Sequence, residues 1–322
     1  MRTEIGSEFW TVPAAGENSL FPVDTHWFRS GRSALTAILR ENDFKKAALP
    51  EWCCDSMIAP FLEEGIQVVF YPSFGSPAGT GADVALVMDY FGWDRGGDAS
   101  GFSGTVIRDL THSILRPEHK PADYYFGSLR KWAGFWTGGF TWGLRTVPVM
   151  ECVKDGYEAL RRQAMENKND YILEKSQSKD YLGVFSRAED LLELPGVFPP
   201  AERDIELARK LDVRSIRERR RANAQVLLDR LGHMALFPEL SEEDCPLFVP
   251  ILTEERAALR RHLIGNEVYC PVHWPLTPLH AEDMDRREIY DRELSLVCDQ
   301  RYGPEDMVRV ADLVKAFFEK RS

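Results

Sequence analysis

Cysteine is scarce in this sequence, long apolar runs are missing, and basic residues are outnumbered by acidic ones. Six cysteines in 322 residues are too few for a disulfide scaffold, and the adjacent pair Cys53–Cys54 is awkward to bridge. No apolar run approaches the roughly 18 residues that a membrane-spanning helix needs. The first eight residues contain no apolar stretch typical of a signal peptide. We therefore expect a soluble, cytoplasmic protein with reduced thiols and no membrane partner.

The deficit of basic residues argues against a nucleic-acid partner. Lys and Arg number 40 against 51 Asp and Glu, which gives a formal net charge of −11. Proteins that wrap nucleic acid need clustered basic side chains to neutralise phosphates. One basic run spans residues 214–221, but Glu218 interrupts it on a predicted helix. A solvent-exposed helix face is the favoured interpretation of that run.

The order of apolar segments predicts an α/β fold. In the first half, short apolar runs such as 84–88 and 105–108 alternate with helical patterns, which indicates a mostly parallel sheet. In the second half, a long charged helix over 213–231 precedes short strands and helices typical of a smaller α+β domain. The length itself is consistent with about two domains.

The first candidate site segment is a turn that opens a helix, Phe28-Arg29-Ser30-Gly31-Arg32-Ser33. Unpaired N–H groups and the positive end of the helix dipole make such a turn suited to a phosphate group. The alternative is an ordinary helix N-cap, with Ser30 or Ser33 satisfying the first turn.

The second segment places Asp109 at the end of a buried strand, with His112 three residues later. A carboxylate at the carboxyl end of such a strand can hold a cationic ring nitrogen, because open α/β sheets bind ligands at this edge. An imidazole nearby could orient or stack on that ligand. A capping aspartate with an incidental histidine is an equally good interpretation of this segment alone.

The third segment contains Ser128, Lys131 and Trp132, followed by the pair Gly138-Gly139. A lysine beside aromatic residues can be desolvated, which favours the neutral amine that forms a Schiff base. The hydroxyl of Ser128 could reach the same phosphate as the Gly31 turn. Read alone, a single lysine is expected to be an ordinary solvent-exposed residue.

Taken in order, these segments resemble the fold-type-I pyridoxal-phosphate enzymes, and most closely the DegT/DnrJ/EryC1/StrS sugar aminotransferases. The resemblance covers about residues 25–318 and includes the C-terminal stretches 270–275 and 294–302. It implies a mostly parallel central sheet flanked by helices, with a smaller C-terminal α+β domain. We predict the following segments: an N-terminal lead-in over 1–24, a cofactor-binding large domain over 25–205 and a small domain over 206–322.

The resemblance also implies a role for each motif residue. Lys131 is expected to form the Schiff base with pyridoxal 5′-phosphate and to shuttle the proton, with Asp109 on the pyridine nitrogen and His112 near the ring. The phosphate is expected to bind at Gly31, Arg32, Ser33 and Ser128. The position that often carries the ring-stacking aromatic residue falls on Cys54.

Several departures from the family pattern keep alternatives open. Arg32 stands where a Ser or Thr is common, so a guanidinium could help to anchor the phosphate. Thr137 replaces the acidic residue that commonly precedes the Gly-Gly pair. Cys54 replaces the aromatic residue, for which Trp52 could substitute, and the interval from Asp109 to Lys131 is short for the family.

The expected activity is transfer of an amino group from an amino acid such as glutamate to a keto-sugar nucleotide, as in polysaccharide biosynthesis, by a homodimer. The alternatives are a pyridoxal-phosphate protein with a regulatory or scaffolding role and no transamination, or a pyridoxal-phosphate dehydratase or lyase. The candidate substrate residues are Trp52, Trp132, His273, Trp274 and Arg301. A buried tryptophan, a satisfied histidine and a salt-bridged arginine are the competing interpretations of these five.

Overall fold

The structure is a computed structural model that describes residues 4–12, 15–16, 18, 20–280, 282 and 284–320. Residues 1–3 and four other positions of the predicted lead-in therefore lie outside the described residues. The strands are β1 (Ile5–Gly6), β2 (His26–Phe28), β3 (Lys46–Pro50), β4 (Gln67–Tyr71), β5 (Val84–Met88), β6 (Thr105–Asp109), β7 (Tyr124–Ser128), β8 (Gly139–Trp142), β9 (Phe248–Leu252), β10 (Val268–Tyr269) and β11 (Glu293–Val297). The helices are α1 (Gly31–Glu41), α2 (Asp55–Glu63), α3 (Tyr157–Ile172), α4 (Tyr181–Asp190), α5 (Glu202–Arg209), α6 (Val213–Leu231), α7 (Arg256–Gly265), α8 (Arg287–Arg292) and α9 (Pro304–Glu319).

The central sheet has seven strands in the order β2-β8-β7-β6-β5-β3-β4. Strand β8 is antiparallel to its neighbours β2 and β7, and the other adjacent pairs are parallel. All five residues of β5 are buried, which explains why that strand is apolar at every position. The predicted α/β fold with a mostly parallel sheet is confirmed.

The strand directions gather several chain segments at one edge of the sheet. Strands β2, β3, β6 and β7 run in the same direction, so the residues that follow them meet there. This carboxyl edge carries the starts of α1 and α2, together with Asp109 and Ser128. Edges of this kind are where open α/β sheets bind ligands.

The C-terminal part is built on two small sheets. Strand β9 pairs antiparallel with β11, and β1 from the N-terminal segment pairs parallel with β10. One apolar core contains buried residues of both parts, such as Leu86 in β5 and Leu296 in β11. The division near residue 205 stays a prediction, because the core is continuous across it. None of the described helices is long and apolar enough to cross a membrane.

Candidate functional site

The start of α1 has unpaired hydrogen-bond donors that lie close to Ser128. Ser30 caps the helix, since its Oγ accepts the Ser33 N–H at 3.2 Å. The N–H groups of Gly31 and Arg32 have no hydrogen-bond partner among the described residues, nor has the Ser128 hydroxyl. A Cβ built on Gly31 would lie 3.5 Å from the Ser128 Cβ. Ser30 is therefore the N-cap of α1, and two unpaired N–H groups and one hydroxyl remain to bind an anion.

The Arg32 guanidinium is engaged away from this cradle. It lies 2.5 Å from the Glu63 carboxylate and 2.8 Å from that of Glu193. Any contribution of Arg32 to an anion at the helix start is therefore limited to its backbone N–H. The Arg32 guanidinium that the sequence pattern suggested as an anchor is not free to bind a phosphate, because two carboxylates already neutralise it.

Asp109 is a buried carboxylate without a cationic partner among the described residues. It lies at the end of β6 and is 4% exposed. The Thr111 N–H donates to its Oδ1 at 2.7 Å. Burial raises the pKa of Asp109 to about 6, and the hydrogen bonds from Thr111 only partly oppose this rise. A cation brought to the free oxygen would relieve the desolvation penalty.

His112 is a neutral imidazole packed among aromatic rings. Its Nδ1 accepts the Phe91 N–H at 3.4 Å. The ring lies nearly parallel to those of Phe91 and Trp274, with centroids 5.0 Å and 5.5 Å away. Burial, together with the nearby charge of Lys131, lowers the pKa of His112 to about 3. His112 therefore forms an uncharged, planar wall beside the carboxyl edge.

Lys131 lies on a single 3-10 turn, Leu129–Lys131, directly after β7. Its side chain is exposed, and its ammonium makes no hydrogen bond or ion pair with the described residues. The expected desolvation of Lys131 by Trp132 is wrong for this structure, because successive residues of the turn point in different directions. Trp132 enters the core, where its indole N–H donates to the Thr111 carbonyl at 2.8 Å.

Lys131 faces a cavity of about 470 Å³, which we call the Lys131 cavity. Its wall is rich in charged side chains, namely Glu8, Arg130, Lys131, Glu189, Arg220, Arg260, Asp299 and Arg301. Arg130 pairs with Glu189, and Arg301 pairs with Asp299 at 2.7 Å. Arg220 donates to backbone carbonyls and to Gln300.

Arg260 is a functional candidate that the sequence reasoning missed. Its Nε donates to the Cys270 carbonyl at 3.2 Å, and its other guanidinium nitrogens have no partner among the described residues. Its side chain is exposed at the cavity wall. The sequence offered no signal for it, because an arginine followed by Arg261 on a helix usually indicates a solvated surface.

Arg301 holds the N-terminal segment rather than presenting a free charge. Its guanidinium donates to Asp299 and to the carbonyls of Ser7 and Glu8, and it stacks over Phe9. The salt-bridge interpretation therefore describes its contacts, although the pair with Asp299 is buried rather than exposed.

Of the remaining substrate candidates, only His273 lines the Lys131 cavity. Trp52 is buried behind it, stacks on Tyr90 and donates its indole N–H to the His273 carbonyl at 2.7 Å. Trp274 covers His112. Trp132, buried as described above, also lies outside the cavity wall.

Cys54 lies at the carboxyl edge, with its Sγ 3.0 Å from the Ser56 hydroxyl. It immediately precedes α2, and burial raises the pKa of its thiol, with the charges of Asp109 and Lys131 acting in opposite directions. The charges of Asp109 and Lys131 therefore both act on this thiol. Gly31, Cys54, Asp109 and Ser128 belong to the carboxyl edge and not to the wall of the Lys131 cavity.

The Gly138-Gly139 pair is required by close packing around the site. Gly138 has φ of 128°, and a Cβ on Gly139 would lie 2.1 Å from the Ser30 carbonyl oxygen. At the preceding position, the N–H and hydroxyl of Thr137 donate to Asp204 at 2.7 Å and 2.8 Å. A buried carboxylate from α5 therefore lies beside the threonine that replaces the acidic residue.

Solved structures provide the comparison, since no family model and no curated protein matches the sequence. A DegT/DnrJ/EryC1/StrS aminotransferase from Brucella abortus is 13% identical, covers 91% of this chain and 85% of its own, and gives a TM-score of 0.61. A second match is the PLP form of a putative sugar aminotransferase, Spr1654 from Streptococcus pneumoniae, which is 15% identical. This match covers 92% of this chain and 87% of Spr1654 and gives a TM-score of 0.60.

NtdA from Bacillus subtilis with bound PMP is 15% identical and gives a TM-score of 0.63. That match covers 91% of this chain and 72% of NtdA. At such identities the similarity is one of fold. The chain has the fold of the DegT/DnrJ/EryC1/StrS aminotransferases, as the sequence resemblance implied.

Proposed function

We propose that this chain is a pyridoxal-phosphate-dependent aminotransferase that moves an amino group from an amino acid such as glutamate to a keto-sugar nucleotide. The observation that carries the proposal is that two adjacent parallel strands, β6 and β7, lead to a buried carboxylate, Asp109, and an exposed amine, Lys131, neither of which has a partner of opposite charge among the described residues. The matched structures support the class, since they include PLP and PMP forms and a DesI structure with its TDP-sugar product.

The residues at the carboxyl edge fit this cofactor group by group. The N–H groups of Gly31 and Arg32 and the Ser128 hydroxyl would hold the phosphate, with Ser33 supporting the turn through its bond to Ser30. Asp109 would hold the protonated ring nitrogen. His112 and Cys54 would flank the ring.

When bound, pyridoxal phosphate supplies an aldehyde carbon and an electron-withdrawing ring that stabilises a carbanion. Lys131 Nζ would bind that aldehyde and move a proton. Asp109 would keep a proton on the ring nitrogen by its negative charge. His112 is neutral because its pKa is about 3, so it can lie against a cationic ring without repelling it.

The free guanidinium of Arg260 is an argument that the Lys131 cavity binds an anionic substrate. Within the described wall of the Lys131 cavity, Arg260 and Lys131 are the cations without a bound carboxylate or carbonyl on their terminal nitrogens. A carboxylate of an amino-acid donor and a diphosphate of a sugar nucleotide both match a guanidinium fork.

The proposed function is tested by a half-reaction. Protein loaded with pyridoxal phosphate is mixed with glutamate, and conversion to the pyridoxamine form is followed by absorbance. We expect conversion in the wild type and in Lys154→Ala, an exposed-lysine control, but none in Lys131→Ala. Bound cofactor that never converts with any amino acid would indicate the non-transaminating alternative, and a dehydrated product without amino transfer would indicate a dehydratase.

A further inference from the structure

A continuous hydrogen-bonded chain of side chains ends at the Lys131 cavity. Glu293 and Ser295 are alternate residues of β11, so their side chains lie on the same face, and both are fully buried. Ser295 Oγ lies 2.5 Å from Glu293 Oε1 and 2.9 Å from His273 Nδ1. The backbone N–H of His273 donates to the other oxygen of the Glu293 carboxyl group, Oε2, at 2.7 Å. The carboxyl, hydroxyl and imidazole are thus held in series.

The other end of the imidazole faces the cavity. His273 Nε2 has no hydrogen-bond partner among the described residues, and the residue lines the Lys131 cavity. The ring is held in place by Phe91, Phe248 and Trp274, with centroids 5.0–5.4 Å away. The Trp52 indole fixes the backbone of the same residue through the His273 carbonyl. The ring orientation is therefore determined from several sides.

We propose that Glu293, Ser295 and His273 form a proton relay that sets which neutral tautomer His273 presents to the Lys131 cavity. With Glu293 ionised, the Ser295 hydroxyl donates to the carboxylate, Nδ1–H donates to Ser295 Oγ, and Nε2 is an acceptor. A proton that arrives at Nε2 displaces the Nδ1 proton onto Ser295 Oγ. The serine in turn gives its own proton to Glu293 Oε1. One proton is gained, the net charge rises from −1 to 0, and the imidazole stays neutral.

The surroundings favour protonation of the Glu293 carboxyl group over protonation of the His273 imidazole to its cationic form. Burial lowers the pKa of His273 well below its usual value, and His112 and Lys131 lower it further. Burial raises the pKa of Glu293 to about 8, opposed by the Ser295 hydroxyl, the His273 N–H and the charge of Arg256. The ring thus resists a positive charge, while the carboxyl group accepts a proton near neutral pH.

The relay would make His273 a hydrogen-bond donor to the cavity below about pH 8 and an acceptor above it. Glu293 and Ser295 are positioning residues in this account, since they act through His273. A use of this relay in catalysis rests on the proposed function, because that function places the substrate in the Lys131 cavity. The relay itself is a property of the protein without substrate, so the two can fail separately.

The test is histidine tautomer measurement by ¹⁵N NMR on the full-length protein, without substrate, from about pH 6 to about pH 10. His273 signals are assigned by their loss in His273→Gln. We expect the wild type to change from the Nε2–H to the Nδ1–H tautomer as pH rises, without forming imidazolium.

The variants separate the relay from a general effect of buried polar substitutions. Ser295→Ala and Glu293→Gln should each show one tautomer across the pH range. Ser113→Ala, at another fully buried serine, should keep the wild-type change. A single wild-type tautomer throughout, imidazolium formation in this range, or an unchanged switch in Ser295→Ala would overturn the proposal.

Discussion

Single charged side chains without protein partners define the chemistry of this site. Three arginines of the Lys131 cavity wall are neutralised by carboxylates or bonded to carbonyls: Arg130 on Glu189, Arg301 on Asp299, and Arg220 on the Leu247 carbonyl. Lys131 and Arg260 retain free nitrogens, and Asp109 retains a free oxygen at the carboxyl edge. An unpaired buried charge costs stability, so we attribute the buried carboxylate of Asp109 to ligand binding rather than to folding.

Asp109→Asn should stabilise the ligand-free protein while weakening cofactor binding. The pKa of Asp109 is raised from its usual 3.8 to about 6, so the folded state binds this proton more tightly than the unfolded state. Stability therefore falls as pH rises between these values, by about 1.4 kcal/mol per pH unit. At neutral pH we expect the substitution to raise the free energy of unfolding by roughly 1–3 kcal/mol in a urea titration.

The same variant should bind pyridoxal phosphate at least about tenfold more weakly, because the ring nitrogen loses its counter-charge. The two effects have opposite signs, which separates them from general damage to the fold. A less stable ligand-free protein with unchanged cofactor affinity would contradict the role assigned to Asp109.

Arg260→Gln should weaken binding of an anionic substrate. We expect KM for that substrate to rise about tenfold or more, with a smaller change in kcat, because the guanidinium binds a group remote from the reacting atoms. The matched control is Arg261→Gln, the next residue of α7, which does not line the Lys131 cavity. Equal effects of the two substitutions would refute a specific role for Arg260.

At the scale of elements, the start of α1 is predicted to be an anion cradle. A Cβ on Gly31 would make ordinary contacts of 3.4–3.5 Å with Gly127 and Ser128, so Gly31→Ala should leave thermal stability nearly unchanged. The added methyl group would occupy the space between the helix start and Ser128. We expect weaker binding of pyridoxal phosphate, measured by titration.

The control for this substitution is Gly183→Ala in α4, where a Cβ would meet nothing within 4 Å. It should raise stability by up to about 1 kcal/mol, as expected for a helix interior, and leave cofactor affinity unchanged. Full cofactor affinity in Gly31→Ala would rule out the cradle.

Sequence patterns predicted the elements that carry strong local signals. The buried run at β5 and the long helix α6 over 213–231 were predicted with the bounds that the structure shows. The position of Asp109 at the carboxyl edge was also readable, because this residue ends a buried strand. By contrast, the three residues of β2 are too short a run to stand out in the sequence.

The missed parts of the site depend on contacts between distant segments. The carboxylate beside Thr137 comes from Asp204, and the relay joins β11 to His273 across 20 or more residues. Alternating Glu293 and Ser295 in an apolar strand was a readable signal of a buried polar face. Which group they would meet was not readable, since tertiary packing decides it.

At the scale of the whole molecule, the Lys131 side chain is exposed on a single chain. Chemistry of the proposed kind benefits from exclusion of water. We propose that a second copy of the chain covers the site, as the family resemblance implies. Sedimentation analysis of the cofactor-loaded protein should give twice the mass of one chain, and a monomer with full transaminase activity would contradict this expectation.

The most direct test of the account asks where the cofactor bonds to the chain. Protein incubated with pyridoxal phosphate is reduced with borohydride, digested, and mapped by mass spectrometry. We predict one modified peptide, with the added mass on Lys131, and no specific modification in Lys131→Ala. Modification spread over exposed lysines such as Lys154, or an unchanged specific product in Lys131→Ala, would contradict the central claim.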